Sequence, residues 1–224
     1  MRLAAVFLGS LARRRLATLF SLIAIILGVA LGMAVQAVHE AALAEFGRGL
    51  SSLAGDADFQ VAGPRGGFDE SLYSILAGRP EVAEASPIVE LEVRPAGRDE
   101  ALQLLGVDVF ALARVTPALL PRPGEGAGRL AFLADDRIFL SRAAQSALAL
   151  GPGDDIDLQT GTRSTTLTIA GDIPGAADNS RLAVMDIAAV QSRFARTGRL
   201  TRIDLKLAPG VAPAAARTAL QAIL

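Results

Sequence analysis

The stretch RRRLATLFSLIAIILGVALGMAVQAVHE, residues 13–40, decides how the rest of the chain is read. From Leu16 to Val38 it contains no formal charge. At about 1.5 Å per helical residue this run reaches roughly 35 Å, enough to cross a hydrocarbon core of about 30 Å with some tilt. Arg2, Arg13, Arg14 and Arg15 precede it without an acidic residue, and His39, Glu40 and Glu45 follow it. Arginines on one flank only, with Arg13, Arg14 and Arg15 nearest the span, set the orientation: residues 1–15 in the cytoplasm, everything after Val38 outside. A cleaved signal peptide shares the basic start and apolar middle. Its apolar core is only about 7–15 residues long, however, and the small-x-small options here lie inside the apolar run. The expectation is a retained transmembrane helix over 16–38.

That helix has a face. Ala17, Ser21, Ala24, Gly28 and Gly32 follow steps of four, three, four and four, and Gly28 with Gly32 forms a GxxxG that permits close backbone approach in lipid. Beyond the membrane, Val38, Ala42, Phe46, Leu50 and Leu53 continue an apolar stripe at helical spacing, which predicts a stalk over 39–55 ending at Gly55. Before it, Leu3, Val6, Phe7 and Leu11 suit a short amphipathic segment on the inner membrane surface.

The 224 residues carry a net charge of −1, with 22 basic and 23 acidic residues. Four of the basic residues precede the apolar run, so the part after it is acidic, which argues against nucleic acid as a partner. The chain has no cysteine, hence no disulfide and no thiolate metal site.

From Asp56 the periodicity turns from helical to alternating. DADFQVAG reads as a strand, GFDESLYSILAG as a helix with Asp69 as N-cap and Leu72, Ile75 and Leu76 pointing inward, and VAEASPIVELEVR with EALQLLGVDV as two strands joined at 96–99. The Pro-rich TPALLPRPGEGAG, residues 116–128, reads as a linker, with a flexible contact region as the other option. Beyond it come a strand IFLS, a helix RAAQSALAL and a hairpin around 160–163. The chain closes with the strand RLAVMD, the helix IAAVQSRFAR, the strand LTRIDLKLA and a helix from Pro213. The class is α+β. The expected division is a first porter-like part over 56–115, an inserted small β-rich lobe over 116–180, and a return to the first lobe over 181–224.

Enzymatic readings find little support. His39 is the only histidine and falls at the expected membrane surface, where a Ser-His-Asp arrangement would have to be built; it reads as an interfacial residue on the helix. Asp154, Asp155 and Asp157 lack the terminal glutamate of a calcium loop and read as solvated turn charges. Glu90 and Glu92 alternate with apolar residues and read as the outward face of a strand. Arg193, Arg196, Arg199 and Arg202 cluster near a helix C-terminus, which favours cations without a ligand. No catalytic residue, cofactor or metal is expected.

At this point the residues resemble a family. Arg13–Val38 is similar to the first transmembrane helix of FtsX/MacB-type ABC transporter permeases, and GDADFQVAG to the entry into their periplasmic core domain. LLGVD, IFLSRAAQSALALGPGDDIDL, LTIAGDIP, VMDIAAVQ and GRLTRIDLKLAPG follow in the order this family shows. The resemblance implies an inner-membrane permease with a stalk and a two-lobed periplasmic domain, working as a dimer with a second permease subunit. It also implies further permease helices and a separate cytoplasmic ABC ATPase subunit as partners, since the chain carries no G-x-x-x-x-G-K-[ST] loop. The chain stops inside the expected domain, so the N-terminal part of such a permease is the expectation. A single-pass periplasmic binding or scaffold protein without transport is the alternative.

Overall fold

A computed structural model describes residues 20, 23–33, 36, 57–64, 66–98, 100–161 and 163–224. The chain divides into two units, Met1–Gly49 and Leu50–Leu224, each described here by itself. In the first unit, Phe20, residues 23–33 and Gln36 are helical, and Ala24, Gly28 and Gly32 lie on that helix with open space where a Cβ at either glycine would sit. Ile23, Ile25, Ile26, Leu27, Val29 and Leu31 are exposed around it. Among the described residues no helix is long and apolar enough to cross a membrane. Arg13, Arg14, Arg15, Ala17, Ser21, Val38, His39, Ala42, Phe46, Leu50 and Leu53 lie outside the described residues.

The second unit is organised by one long strand. After β1 (Phe59–Ala62), the short β2 (Phe68–Asp69) and helix α1 (Ser71–Ala77), β3 runs from Val82 to Pro95. Its first half pairs antiparallel with β11 (Arg202–Leu207), which in turn pairs with β1. Residues 88–93 pair antiparallel with β4 (Leu102–Val107), and Arg94–Pro95 pair with β7 (Asp155–Thr160). β4 pairs parallel with β9 (Leu182–Asp186). β9 pairs with β6 (Arg137–Leu140), β6 parallel with β8 (Arg163–Asp172), and β8 with β7. Since β7 returns to β3, the strands β3, β4, β9, β6, β8 and β7 close a ring.

Alternation decides which face fills that ring. Leu91, Val93, Leu102, Leu104, Ile138, Leu140, Ile156, Leu158, Leu167, Ile169, Ala183 and Met185 belong to one buried cluster, and all six ring strands contribute to it. The same face continues onto Ile203 and Leu205 of β11, where Leu76 of α1, Val190 of α4 (Ile187–Arg193) and Leu220 of α5 (Pro213–Gln221) join it. Gly106 on β4 lets α4 sit against the sheet, because a Cβ there would lie 2.8 Å from the Val190 Cβ. Ile88, Leu105, Val107, Phe139 and Val184 point the other way, under Leu112 of α2 (Val109–Val115) and Leu119. α3 (Arg142–Leu148) follows β6 and buries Ala144 and Leu148 in the ring cluster.

Side-chain caps fix where three helices begin. Asp108 accepts from the amides of Phe110 and Ala111 at α2, Ser141 from Ala144 at α3, and Asp186 from Ala188 and Ala189 at α4.

Several expectations change. The segment expected as an inserted lobe, 116–180, supplies strands of the same ring as β3, β4 and β9, so main-chain pairing joins it to the rest. Glu70, not Asp69, is the N-cap of α1, and Asp69 accepts from the Ser71 amide at 2.9 Å instead. Ile75, expected inward, is 52% exposed, because the turn of α1 that faces the sheet carries Leu76. The Pro-rich segment is not a free linker. Pro117–Leu119 forms a 3-10 turn with Leu119 buried, and β5 (Arg122–Pro123) pairs with Gly171 and Asp172 of β8.

Candidate functional site

β3 carries two strands in succession on one edge. The Thr201 amide donates to the Ile88 carbonyl at 3.0 Å, the Glu90 amide to Thr201 Oγ1 at 2.7 Å, and the Ala96 amide to the Asp157 carbonyl at 2.8 Å. These even-numbered positions share an edge, so β11 and β7 meet the same side of β3 and leave a gap at Glu90–Glu92. There the surface opens into a cleft of about 950 Å³, lined among others by Glu90, Gln103, Thr160, Arg181, Arg196 and Arg202. A smaller recess of about 290 Å³ lies at Glu92, Arg94 and Gln159.

Arg202 organises the polar side of this seam. Its Nη1 lies 3.3 Å from Glu90 Oε2, its Nη2 3.3 Å from Asp204 Oδ2, and its Nε 2.9 Å from Asp204 Oδ1. The Gln103 amide donates to the other Glu90 oxygen, Oε1. Asp204 is completely buried. Burial pushes its carboxyl up to about 6, against the attraction of Arg202 and with a further push from Glu90. Alternation alone marks Arg202, Asp204 and Lys206 as the outward face of β11, but α2 packs over this face of β3 and β11.

Glu90 therefore corrects the expectation of an outward strand face: it is half-buried and tied to Gln103 and Arg202, whereas Glu92 is exposed and pairs with Arg94 at 3.4 Å. The four clustered arginines separate. Arg193 pairs with Asp135 at 3.0 Å, Arg199 donates to the Gly66 carbonyl at 3.1 Å, Arg196 lines the cleft, and Arg202 holds the two carboxylates. Asp154 accepts from the Gly151 amide at 2.8 Å, Asp155 from Thr168 Oγ1 at 2.8 Å, and Asp157 from Thr166 Oγ1. The first contact closes the turn leading into β7, and the other two are cross-strand pairs of the β7–β8 hairpin. Among the described residues, no group of three or more His, Cys, Asp or Glu is placed to hold a metal ion.

Comparison with known proteins assigns the family. Residues 18–223 match the family model of the MacB-like periplasmic core domain. An uncharacterized ABC transporter permease protein of Mycobacterium tuberculosis is 28% identical over 196 residues, 83% of this chain. The chain spans 23% of that relative's length. The crystal structure of the periplasmic region of MacB from Actinobacillus actinomycetemcomitans shares the fold, with a TM-score of 0.51 at 13% identity, covering 73% of each chain. With residues 18–223 of its 224 matched by the family model, this chain belongs to the MacB-like periplasmic core domain family.

Proposed function

We propose that this chain is the permease part of an ABC-type exporter or lipoprotein-releasing system in the bacterial inner membrane. Residues 16–38 span the bilayer with 1–15 in the cytoplasm, residues 39–55 form a stalk, and the ring domain lies outside. A cytoplasmic ABC ATPase subunit supplies the energy, and a second permease subunit completes the assembly. The chain acts mechanically, carrying nucleotide-driven movement along the stalk to the outer domain, and performs no chemistry of its own. One observation carries this reading: the family match starts at residue 18, inside the apolar run, and continues through the ring to 223.

Purification of the natural full-length protein from its own membranes tests the proposal. An ATPase subunit that co-elutes, and whose ATP hydrolysis changes on reconstitution with the permease, is the expected result. A folded, membrane-embedded protein with no associated ATPase would instead support the anchored scaffold.

A further inference from the structure

We propose that Asp204 is a proton-binding site that sets which carboxylate Arg202 holds at the seam. With Asp204 ionised the guanidinium is shared between Asp204 and Glu90; with Asp204 protonated it turns wholly to Glu90, which lines the cleft. The geometry is one cation between two acids, one of them with no exposure to solvent. Such a trio is charge-balanced when one carboxyl carries a proton, and the fully buried carboxyl loses most by being charged.

Ser86 is the cross-strand partner of Asp204 and is fully buried, and its Oγ has no hydrogen-bond partner among the described residues. Its hydroxyl can donate to a carboxylate or accept from a carboxylic acid, so it is available to Asp204 in either state.

In the cleft, Arg181 is paired with Glu100 at 3.2 Å and Arg196 lines the wall with Glu90; the charged groups on the neighbouring elements are engaged or lie across a strand. On β3, Glu84 is held by Arg114 of α2 at 2.7 Å and stands opposite Lys206 of β11. Asp58, ahead of β1, accepts from the Leu207 amide at 2.7 Å, and uncharged Gln60 of β1 stands opposite Asp204. Asp108 is spent on capping α2, and α1 brings Tyr73 near the Arg114–Glu84 pair. Gln103 of β4 is uncharged and bound to Glu90.

The test is a carboxyl titration of the whole chain in detergent micelles, with aspartate labelled at ¹³Cγ and arginine at ¹⁵Nε. The Asp204 resonance is expected to titrate about two units above an ordinary aspartate, and the Arg202 Nε–H resonance to shift with the same midpoint. Glu90→Gln removes the competing acid and lowers that midpoint by about one unit. An Asp204 midpoint near the ordinary aspartate value, or an Arg202 resonance that does not move with Asp204, overturns the proposal. Should that variant fail to fold, the two wild-type resonances alone decide.

Discussion

Arg202 and Asp204, two positions apart on β11, point to the same side of the strand, with Nε 2.9 Å from Oδ1. The arginine side chain is 11% exposed and the aspartate side chain not at all, so this is a pair inside the protein. It joins the strand shared with β1 to the ring wall, because the same guanidinium reaches Glu90 on β3.

The pair makes stability depend on pH in a direction unusual for an aspartate. Burial raises the folded carboxyl to about 6 from its ordinary 3.8, so the folded state binds more protons between those values and stability falls as pH rises through them. The shift corresponds to about 3 kcal/mol at most. Urea midpoints of the wild type are expected to drop between pH 5 and pH 7.5, and Asp204→Asn to flatten that drop.

Removing the cation gives a variant whose defect is itself pH-dependent. Arg202→Met leaves Asp204 buried without a counter-charge and is expected to cost about 3–5 kcal/mol at pH 7.5. At pH 5 the carboxyl is mostly protonated and the cost shrinks. Denaturant unfolding at both values checks this; equal losses at the two would contradict it.

Ring closure rests on the short pairing of β3 with β7. Arg94 and Gln159 are direct cross-strand partners, within the Cα separation that a disulfide tolerates. The chain has no cysteine of its own, so Arg94→Cys with Gln159→Cys should form one intramolecular bond on mild oxidation. A mobility shift reversed by reductant is the expected readout, and free thiols after oxidation would mean that the ring is open.

The Pro-rich segment is held by close backbone approach. A Cβ on Gly171 would lie 2.0 Å from the Arg122 carbonyl oxygen and 2.8 Å from the Gly124 amide nitrogen. Gly171→Ala therefore has to push β5 off β8, at a cost of about 1–3 kcal/mol. Protease cleavage within 116–128 should become faster; unchanged cleavage and stability would show that the strap yields without cost.

Much of this architecture was legible in the residues. Alternation in VAEASPIVELEVR and EALQLLGVDV marked β3 and β4, and the 160–163 turn marked the β7–β8 hairpin. Alternation states which face a residue takes but not which distant strand it pairs with. The β3–β7 contact that closes the ring, joining Arg94 to Gln159, was therefore invisible. The same limit hid the seam: Glu90 reads as an outward strand charge and Arg202 as a cation near a helix end until α2 and Gln103 are brought over them. The proposal of a membrane span and stalk over 16–55 rests on hydropathy and charge asymmetry, with the family match beginning at residue 18.

The most direct measurement is topology mapping by single cysteines in intact cells. Ser164 is exposed on β8 beside the hairpin turn, and Ser10 precedes the apolar run. With a membrane-impermeant maleimide, Ser164→Cys is expected to label without lysis and Ser10→Cys only after lysis. The reverse pattern, or protection of both until lysis, would contradict a permease that carries this domain outside the membrane.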